Sequence, residues 1–237
     1  MRETPSKSLT AIKRNFFARG EKRFVLGFGA EAFKGVYASI RMVNAGLGVP
    51  ATLSVNVDVA NGTFWTEGPL VNSAMALMQV SNVPTMINSL RDGRDGPAFR
   101  ALAKMKRLHV YINHKNQTAS KGKEFVIDYF KLNSARTETF KTMDPNTNKE
   151  KETTYMTYFQ EKYNVRLQHP DLPLVVMTAG KGKIVYPMEL CYIPVNQRYN
   201  SKLNDRQVNL AHSHDGFDDA NICTDFRDDQ VCRHSTA

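Results

Sequence analysis

Leu53, Val55, Val57 and Val59 alternate with Ser54, Asn56, Asp58 and Ala60. A period of two places the aliphatic set on one face of an extended strand and the small and polar set on the other. A helix would scatter both sets around its axis. A strand needs neighbours on its edges, so this chain is committed to a sheet. Asn61-Gly62 has turn chemistry and is expected to end the strand, which reads as half-buried. Residues 34–41 alternate less cleanly. The stretch from about Ala18 to Trp65 therefore reads as a small strand-rich unit, short for a domain on its own.

The composition changes at Gly68-Pro69. Residues 70–80, 84–90 and 97–106 are rich in Ala, Met and Leu, and prolines stand where first helical turns tolerate them, so three short helices are expected. Leu108, Val110 and Ile112 then alternate with His109, Tyr111 and Asn113, a second strand. Residues 124–130 read as a β-rich run, and 116–122 and 143–151 as polar loops. Thr153 or Thr154 can cap a helix in which Tyr155, Tyr158, Phe159 and Tyr163 recur near helical spacing. Residues 165–169, 174–178 and 184–193 read as strands, with Gly180-Lys181-Gly182-Lys183 as a hairpin turn. Pro187 then belongs at an edge or a bulge. Several short strands with one inserted helix suggest a small barrel carrying an appendage. After Gln207 the pattern dissolves, and 208–237 is expected to be disordered or poorly packed.

The net charge is +9, from 32 Lys and Arg against 23 Asp and Glu. The acid is gathered late: from Asn204 onward seven aspartates stand against three arginines. A basic body of this kind points to a polyanionic partner, most often nucleic acid. Three cysteines, Cys191, Cys223 and Cys232, do not make a disulfide framework. The polar, basic N-terminus lacks the apolar core of a signal peptide, and no stretch approaches the ~18 apolar residues of a membrane helix. The chain thus reads as soluble and cytoplasmic, with the nucleus as a second compartment, and with no membrane partner.

Between residues 121 and 186 aromatics and bases are interleaved: Lys121, Lys123, Phe125, Phe140, Tyr155, Tyr158, Phe159, Lys162, Tyr163, Lys181, Lys183 and Tyr186. Single-stranded nucleic acid needs this mixture, rings to stack on bases and cations to neutralise phosphates. The competing reading is plain: aromatics in a core and bases in solvent.

The order of the residues favours the first reading. Tyr158-Phe159-Gln160-Glu161-Lys162-Tyr163, Leu167 and the following Pro170-Asp171-Leu172-Pro173 resemble the PAZ domain of Argonaute proteins. Tyr186-Pro187-Met188-Glu189-Leu190-Cys191, Gln197-Arg198-Tyr199, Lys202-Leu203 and Gln207 are similar to the end of that domain. Phe16-Phe17, Leu26-Gly27-Phe28-Gly29, Lys34-Gly35, Ser39-Ile40-Arg41 and Val55-Asn56-Val57-Asp58-Val59 resemble the first linker domain that precedes PAZ in Argonautes.

The resemblance implies a mixed α/β, mainly β chain. A basic segment (1–15) leads to a strand-rich linker domain (16–69). A PAZ domain (70–207) follows, an OB-like small β-barrel with an αβ appendage, and then an acidic tail (208–237). It further implies a pocket for the 3′ end of a short single-stranded guide RNA, with proteins of the RNA-silencing machinery as candidate partners. By motif, Tyr158, Lys162 and Tyr163 fall where the family contacts the terminal phosphate and sugar. His114 matches a phosphate-binding histidine, and Phe140 and Tyr186 match apolar positions against the terminal nucleotide. Lys123 and Phe125 stand where the family has Arg and Tyr, which keeps a charge and a ring but loses a bidentate fork and a hydroxyl. Lys181 or Lys183 matches a further family lysine, Lys183 being the one assigned.

No catalytic residue, metal or cofactor is expected. The slicing domain and its metal-binding carboxylates lie downstream in the family, so the chain reads as an Argonaute fragment. The aspartates and histidines of the tail, with Cys223 and Cys232, lack a scaffold or zinc-module spacing. The alternative is a protein-interaction or regulatory fragment without useful RNA binding.

Overall fold

The computed structural model describes residues 9–18, 22–44, 46, 50–113, 124–143, 150–180, 182–199 and 201–213. They form two compact units, 1–64 with 198–237, and 65–197.

The first unit is a five-stranded antiparallel sheet. Strands β1 (Leu9–Ile12) and β2 (Asn15–Ala18) form a hairpin; β3 (Phe24–Gly27) and β2 both pair with β4 (Ala30–Val43), as does β5 (Thr52–Trp65). The sheet exists because Phe17, Phe33 and Phe64 find one another across it, each about 2 % exposed or less. Phe33 and Phe64 stack at 4.1 Å, and Phe17 meets both edge-on at 5.5 and 5.0 Å. Such ring pairs add about 0.5–1.5 kcal/mol beyond their buried area.

Two sequence expectations change here. Asn61-Gly62 is no turn, because β5 runs through it to Trp65. Gly62 is there for space: a Cβ would lie 2.6 Å from Phe64 and 2.7 Å from Phe17. The aliphatic stripe is also not half-buried. Leu53, Val55, Val57 and Val59 are 74, 63, 62 and 52 % exposed, since β5 pairs with β4 and, among the described residues, nothing covers either face of its first eight residues.

The chain re-enters this unit at Arg198, which bridges Phe64, and Tyr199 donates its backbone N–H to Thr63. Helix α5 (Asp205–His212) then seats on β3. Its capping box joins Asn204 and Gln207, and the buried Gln207 amide donates to the Gly27 carbonyl at 3.0 Å. Residues 208–212, read as structureless, are therefore helical, and Ala211 is buried. One turn of apolar spacing is too short a signal to register as periodicity, and the anchor is polar. Residues 214–237 lie outside the described residues.

The second unit is a six-stranded antiparallel sheet in the order β12-β11-β8-β7-β13-β6. These are β6 (Gly68–Pro69), β7 (His109–Ile112), β8 (Phe125–Ser134), β11 (Pro173–Ala179), β12 (Gly182–Pro187) and β13 (Cys191–Ile193). Helices α1 (Leu70–Met78), α2 (Val83–Ser89) and α3 (Pro97–Ala103) form where expected, with Pro84 and Pro97 in the first turns. Leu70, Ala74, Met86 and Leu102 are fully buried among Val110, Ile127, Leu174 and Met177 in this unit's core.

Between β8 and β11 lies a separate piece: the hairpin β9 (Thr139–Met143) with β10 (Glu150–Thr154), then α4 (Tyr155–Tyr163). The hairpin went unread because its pattern is polar. Lys141 pairs with Glu150, Thr139 donates to Glu152, and the phase shows only in Phe140 opposite Thr153. The fold is thus mixed and mainly β, a sheet with an αβ appendage.

Residues 165–169 form no strand. Asn164, left-handed at φ 51°, ends α4, Val165 donates its N–H to Phe159, and the His169 N–H goes to Glu189. Their donors are already committed. Residues 184–193 are likewise divided by a 3₁₀ turn, Met188–Leu190. Pro187 closes edge strand β12, where an absent N–H costs least.

Gly35 tests the aromatic core: its Cβ would lie 2.5 Å from Phe17 and 2.6 Å from the Phe16 carbonyl, and backbone cannot yield. Gly35→Ala is expected to destabilise by about 1–3 kcal/mol, as overpacking does. Urea denaturation checks this; an unchanged midpoint would mean that the cluster is slack. Asn204→Ala removes the α5 cap and should cost ~1 kcal/mol in the same assay.

Candidate functional site

Helix α4 begins where Thr154 accepts from the Thr157 N–H, at 3.2 Å. Its apolar anchor is Phe159, 2 % exposed. With Phe159 turned inward, the helical period sets Tyr155, Tyr158, Lys162 and Tyr163 around it on the partly exposed side. Phe140 comes in from β9 and Tyr186 from β12.

The rings form a continuous cluster. Phe140 lies 4.5 Å from Tyr155 and meets Tyr158 edge-on at 5.0 Å. Tyr158 meets Tyr163 edge-on at 5.9 Å. Phe159 touches Tyr163 at 5.4 Å and Tyr186 at 5.4 Å. Five residues of helix separate Tyr158 from Tyr163, about 140° in direction, yet long side chains at the helix end close the gap. The Lys162 ammonium donates to the Tyr158 hydroxyl at 2.8 Å and lies 5.1 and 5.8 Å from the Tyr158 and Tyr163 ring centres. Cation–π attraction and that hydrogen bond fix a long side chain that would otherwise be mobile.

The electrostatics follow. The Tyr158 hydroxyl beside Lys162 holds its ammonium above the ordinary lysine range. Burial lifts the Tyr186 phenol to about 12, and burial raises Tyr155 and Tyr163 as well. At neutral pH the Tyr155, Tyr163 and Tyr186 hydroxyls are therefore neutral and stand beside one firm positive charge. It can hydrogen-bond an anion, offer ring faces and exclude water.

Of the residues singled out from sequence, Phe140, Tyr158, Lys162, Tyr163 and Tyr186 are brought together. Tyr155 and Phe159 join them; both carried the helical spacing but neither was assigned to the site. His114 and Lys123 lie outside the described residues, as does Lys181. Phe125, on β8, is only 8 % exposed and stands opposite Val110. Lys183 is set apart: β12 keeps an unbroken register with β11, so Lys183 and Tyr186, three residues apart, face opposite ways. Its ammonium pairs with Asp128 at 2.7 Å. Among the described residues no three His, Cys, Asp or Glu side chains converge as metal ligands.

The sequence model of the PAZ domain matches residues 84–211, and that of the Argonaute linker 1 domain matches residues 11–66. The fold and the two matches define a linker-plus-PAZ chain. The chain belongs to the Argonaute family. It is 33% identical over 210 residues to the argonaute protein of Schizosaccharomyces pombe, covering 88% of this chain and 23% of that protein. It is 28% identical over 218 residues to protein argonaute 5 of Arabidopsis thaliana, covering 88% and 19%. A crystal structure of Kluyveromyces polysporus Argonaute with a guide RNA matches with a TM-score of 0.56 at 16% identity, over 88% of this chain and 24% of that one. The chain spans less than a quarter of the length of these relatives.

Glu189 ties the loop after α4 to the 3₁₀ turn: one carboxylate oxygen accepts from the His169 N–H at 2.7 Å, and the other is buried without a hydrogen-bond partner among the described residues. Burial raises its pKa, against a smaller opposing effect of the His169 contacts. The folded state thus holds the proton more tightly than the unfolded chain. Stability at this site is greatest below the ordinary carboxylate pKa and is lost as pH rises through the raised value. Glu189→Gln removes that dependence, so the variant should gain on the wild type as pH rises above the ordinary carboxylate pKa. Denaturant melts across that range check it; parallel curves would mean that the carboxylate is solvated.

Proposed function

We propose that this chain anchors the 3′ end of a short single-stranded RNA in the aromatic cluster of α4, β9 and β12, without catalysing a reaction. The observation that carries the reading is Lys162 held over Tyr158 and Tyr163, with Phe140 and Tyr186 completing the ring wall. A terminal nucleotide offers a ribose and base to pack against rings and a phosphate for the ammonium and hydroxyls. An internal nucleotide has chain leaving on both sides and fits a closed wall poorly. Family membership supports the reading, as does the guide RNA in the Kluyveromyces structure. His114, Lys123 and Phe125 are proposed, from the motif resemblance, to complete the site, and Lys183, paired with Asp128, to contact phosphate only weakly from the far side of β12. Silencing proteins as partners and a cytoplasmic location belong to the same proposal.

Tyr158→Ala removes a ring face and a donor and should weaken binding by about 1–3 kcal/mol. Tyr158→Phe loses only the hydroxyl and should cost less. The deciding comparison uses one short RNA with a free 3′-hydroxyl, circularised, or carrying a bulky 3′ block. Only the free end should bind tightly in a fluorescence titration. Equal affinities would replace this reading by a generic basic surface. No RNA binding at all would leave the protein-interaction reading, which the exposed aliphatic residues of β5 favour.

A further inference from the structure

Outside the aromatic cluster, the second unit gathers two lysines around a single carboxylate. Lys106 stands in the turn after α3, and that turn is pinned to β8: Arg107 donates its N–H to Ile127 at 2.8 Å, and Ile127 donates back to Leu108 at 2.9 Å. Lys183 is set by the strand ladder, opposite Thr178, which in turn faces Val126. Asp128 lies between them. Its Oδ2 takes Lys183 at 2.7 Å and its Oδ1 faces Lys106 at 3.8 Å. The Lys183 ammonium is also 5.4 Å from the centre of the Tyr129 ring, which is 40 % exposed.

Two ammonium groups converging on the two oxygens of one anion, beside a partly exposed ring, is an arrangement that suits a nucleotide. A phosphodiester also presents two anionic oxygens, and Tyr129 offers a base a surface to stack on. The lysine side chains are 57 and 61 % exposed, so an incoming phosphate can reach them. Exposed ion pairs are individually weak, so the carboxylate can be exchanged. The depressed pKa of Asp128, caused first by its hydrogen bond to Lys183, keeps it ionised at neutral pH.

We propose that Asp128 occupies a second phosphate contact on this chain, formed by Lys106 and Lys183 with Tyr129 beside it, and competes there with the backbone of a single-stranded RNA. The inference rests on the RNA-binding reading above and adds to it a built-in restraint on affinity. In the wild type the carboxylate answers one of the two ammonium charges and occupies the place between them, so the lysines contribute less than they could. Removing the carboxylate exposes them.

The test is a titration of a short labelled RNA with a free 3′-hydroxyl against the whole chain, at several salt concentrations. Asp128→Asn is expected to tighten binding three- to tenfold and to steepen the slope of log affinity against log salt by about 0.7 for one added phosphate. Asp128→Ser should do the same, and Asp128→Glu should restore the wild-type value. The gain should vanish in Asp128→Asn combined with Lys183→Gln and Lys106→Gln, as a coupling through those lysines requires. A gain that survives in the combined variant is a net-charge effect and overturns the proposal. So does an Asp128→Asn affinity equal to or below that of a wild type that still prefers free 3′ ends, in which case end-binding stands alone. If neither the wild type nor any variant binds RNA, both readings fall together.

Discussion

The burial of Phe159 is the constraint on which the candidate site depends. Helix α4 is nine residues long, too short to persist in water from propensity alone, and its mean character is polar. It is held by one ring turned into the unit, a threonine cap at its start and a left-handed asparagine at its end. With Phe159 fixed, the 100° step of the helix leaves no choice about where Tyr155, Tyr158, Lys162 and Tyr163 stand. The site is local geometry amplified by one buried contact, and β9 and β12 add to it only Phe140 and Tyr186.

This explains why so much of the site could be read from the sequence. Tyr158, Lys162 and Tyr163 lie within six residues, and an amphipathic helix is the structure that sequence spacing describes best. Tyr186 entered through its motif. What could not be read was the facing of Lys183. Near Tyr186 in sequence, it is turned away by strand alternation, and only the β11 register decides that. Asp128 is invisible for the same reason, since its pairing with residues 22 behind and 55 ahead exists only once β8, β12 and the turn after α3 are in place.

The fold was legible where apolar side chains carry the period and illegible where polar ones do. The β5 run, the three helices and β7, β8 and β11 announce themselves through Val, Leu, Ile and Met. The β9–β10 hairpin is held by lysine–glutamate and threonine–glutamate contacts, and α5 by a capping box and a buried glutamine, so the apolar trace of each is too short to read. Even the clearest signal was half misread. Alternation in β5 identifies a strand, but it cannot say that no described element packs over the first eight residues, so that the aliphatic face stays uncovered.

A count of charges misleads in the same way. Lys162 and Lys183 each add one to the net +9, and both sit beside a tyrosine ring. Their surroundings differ in one respect. Lys162 donates to a neutral phenol, which orients the ammonium and leaves its charge unanswered. Lys183 faces a carboxylate, which orients it equally well and cancels the field it would present to an anion. Within the ~10 Å screening length of ordinary ionic strength, a phosphate approaching Lys183 meets a carboxylate that offsets one of two lysine charges, whereas one approaching Lys162 meets an ammonium held by a phenol. The direction in which each pKa moves cannot separate the two, because both lysines are stabilised in their charged form. What separates them is the partner's own charge. On that ground the proposed function assigns to Lys162 the drawing of an RNA end into the aromatic cluster, and the proposed competition assigns to Lys183 a phosphate only when Asp128 is displaced.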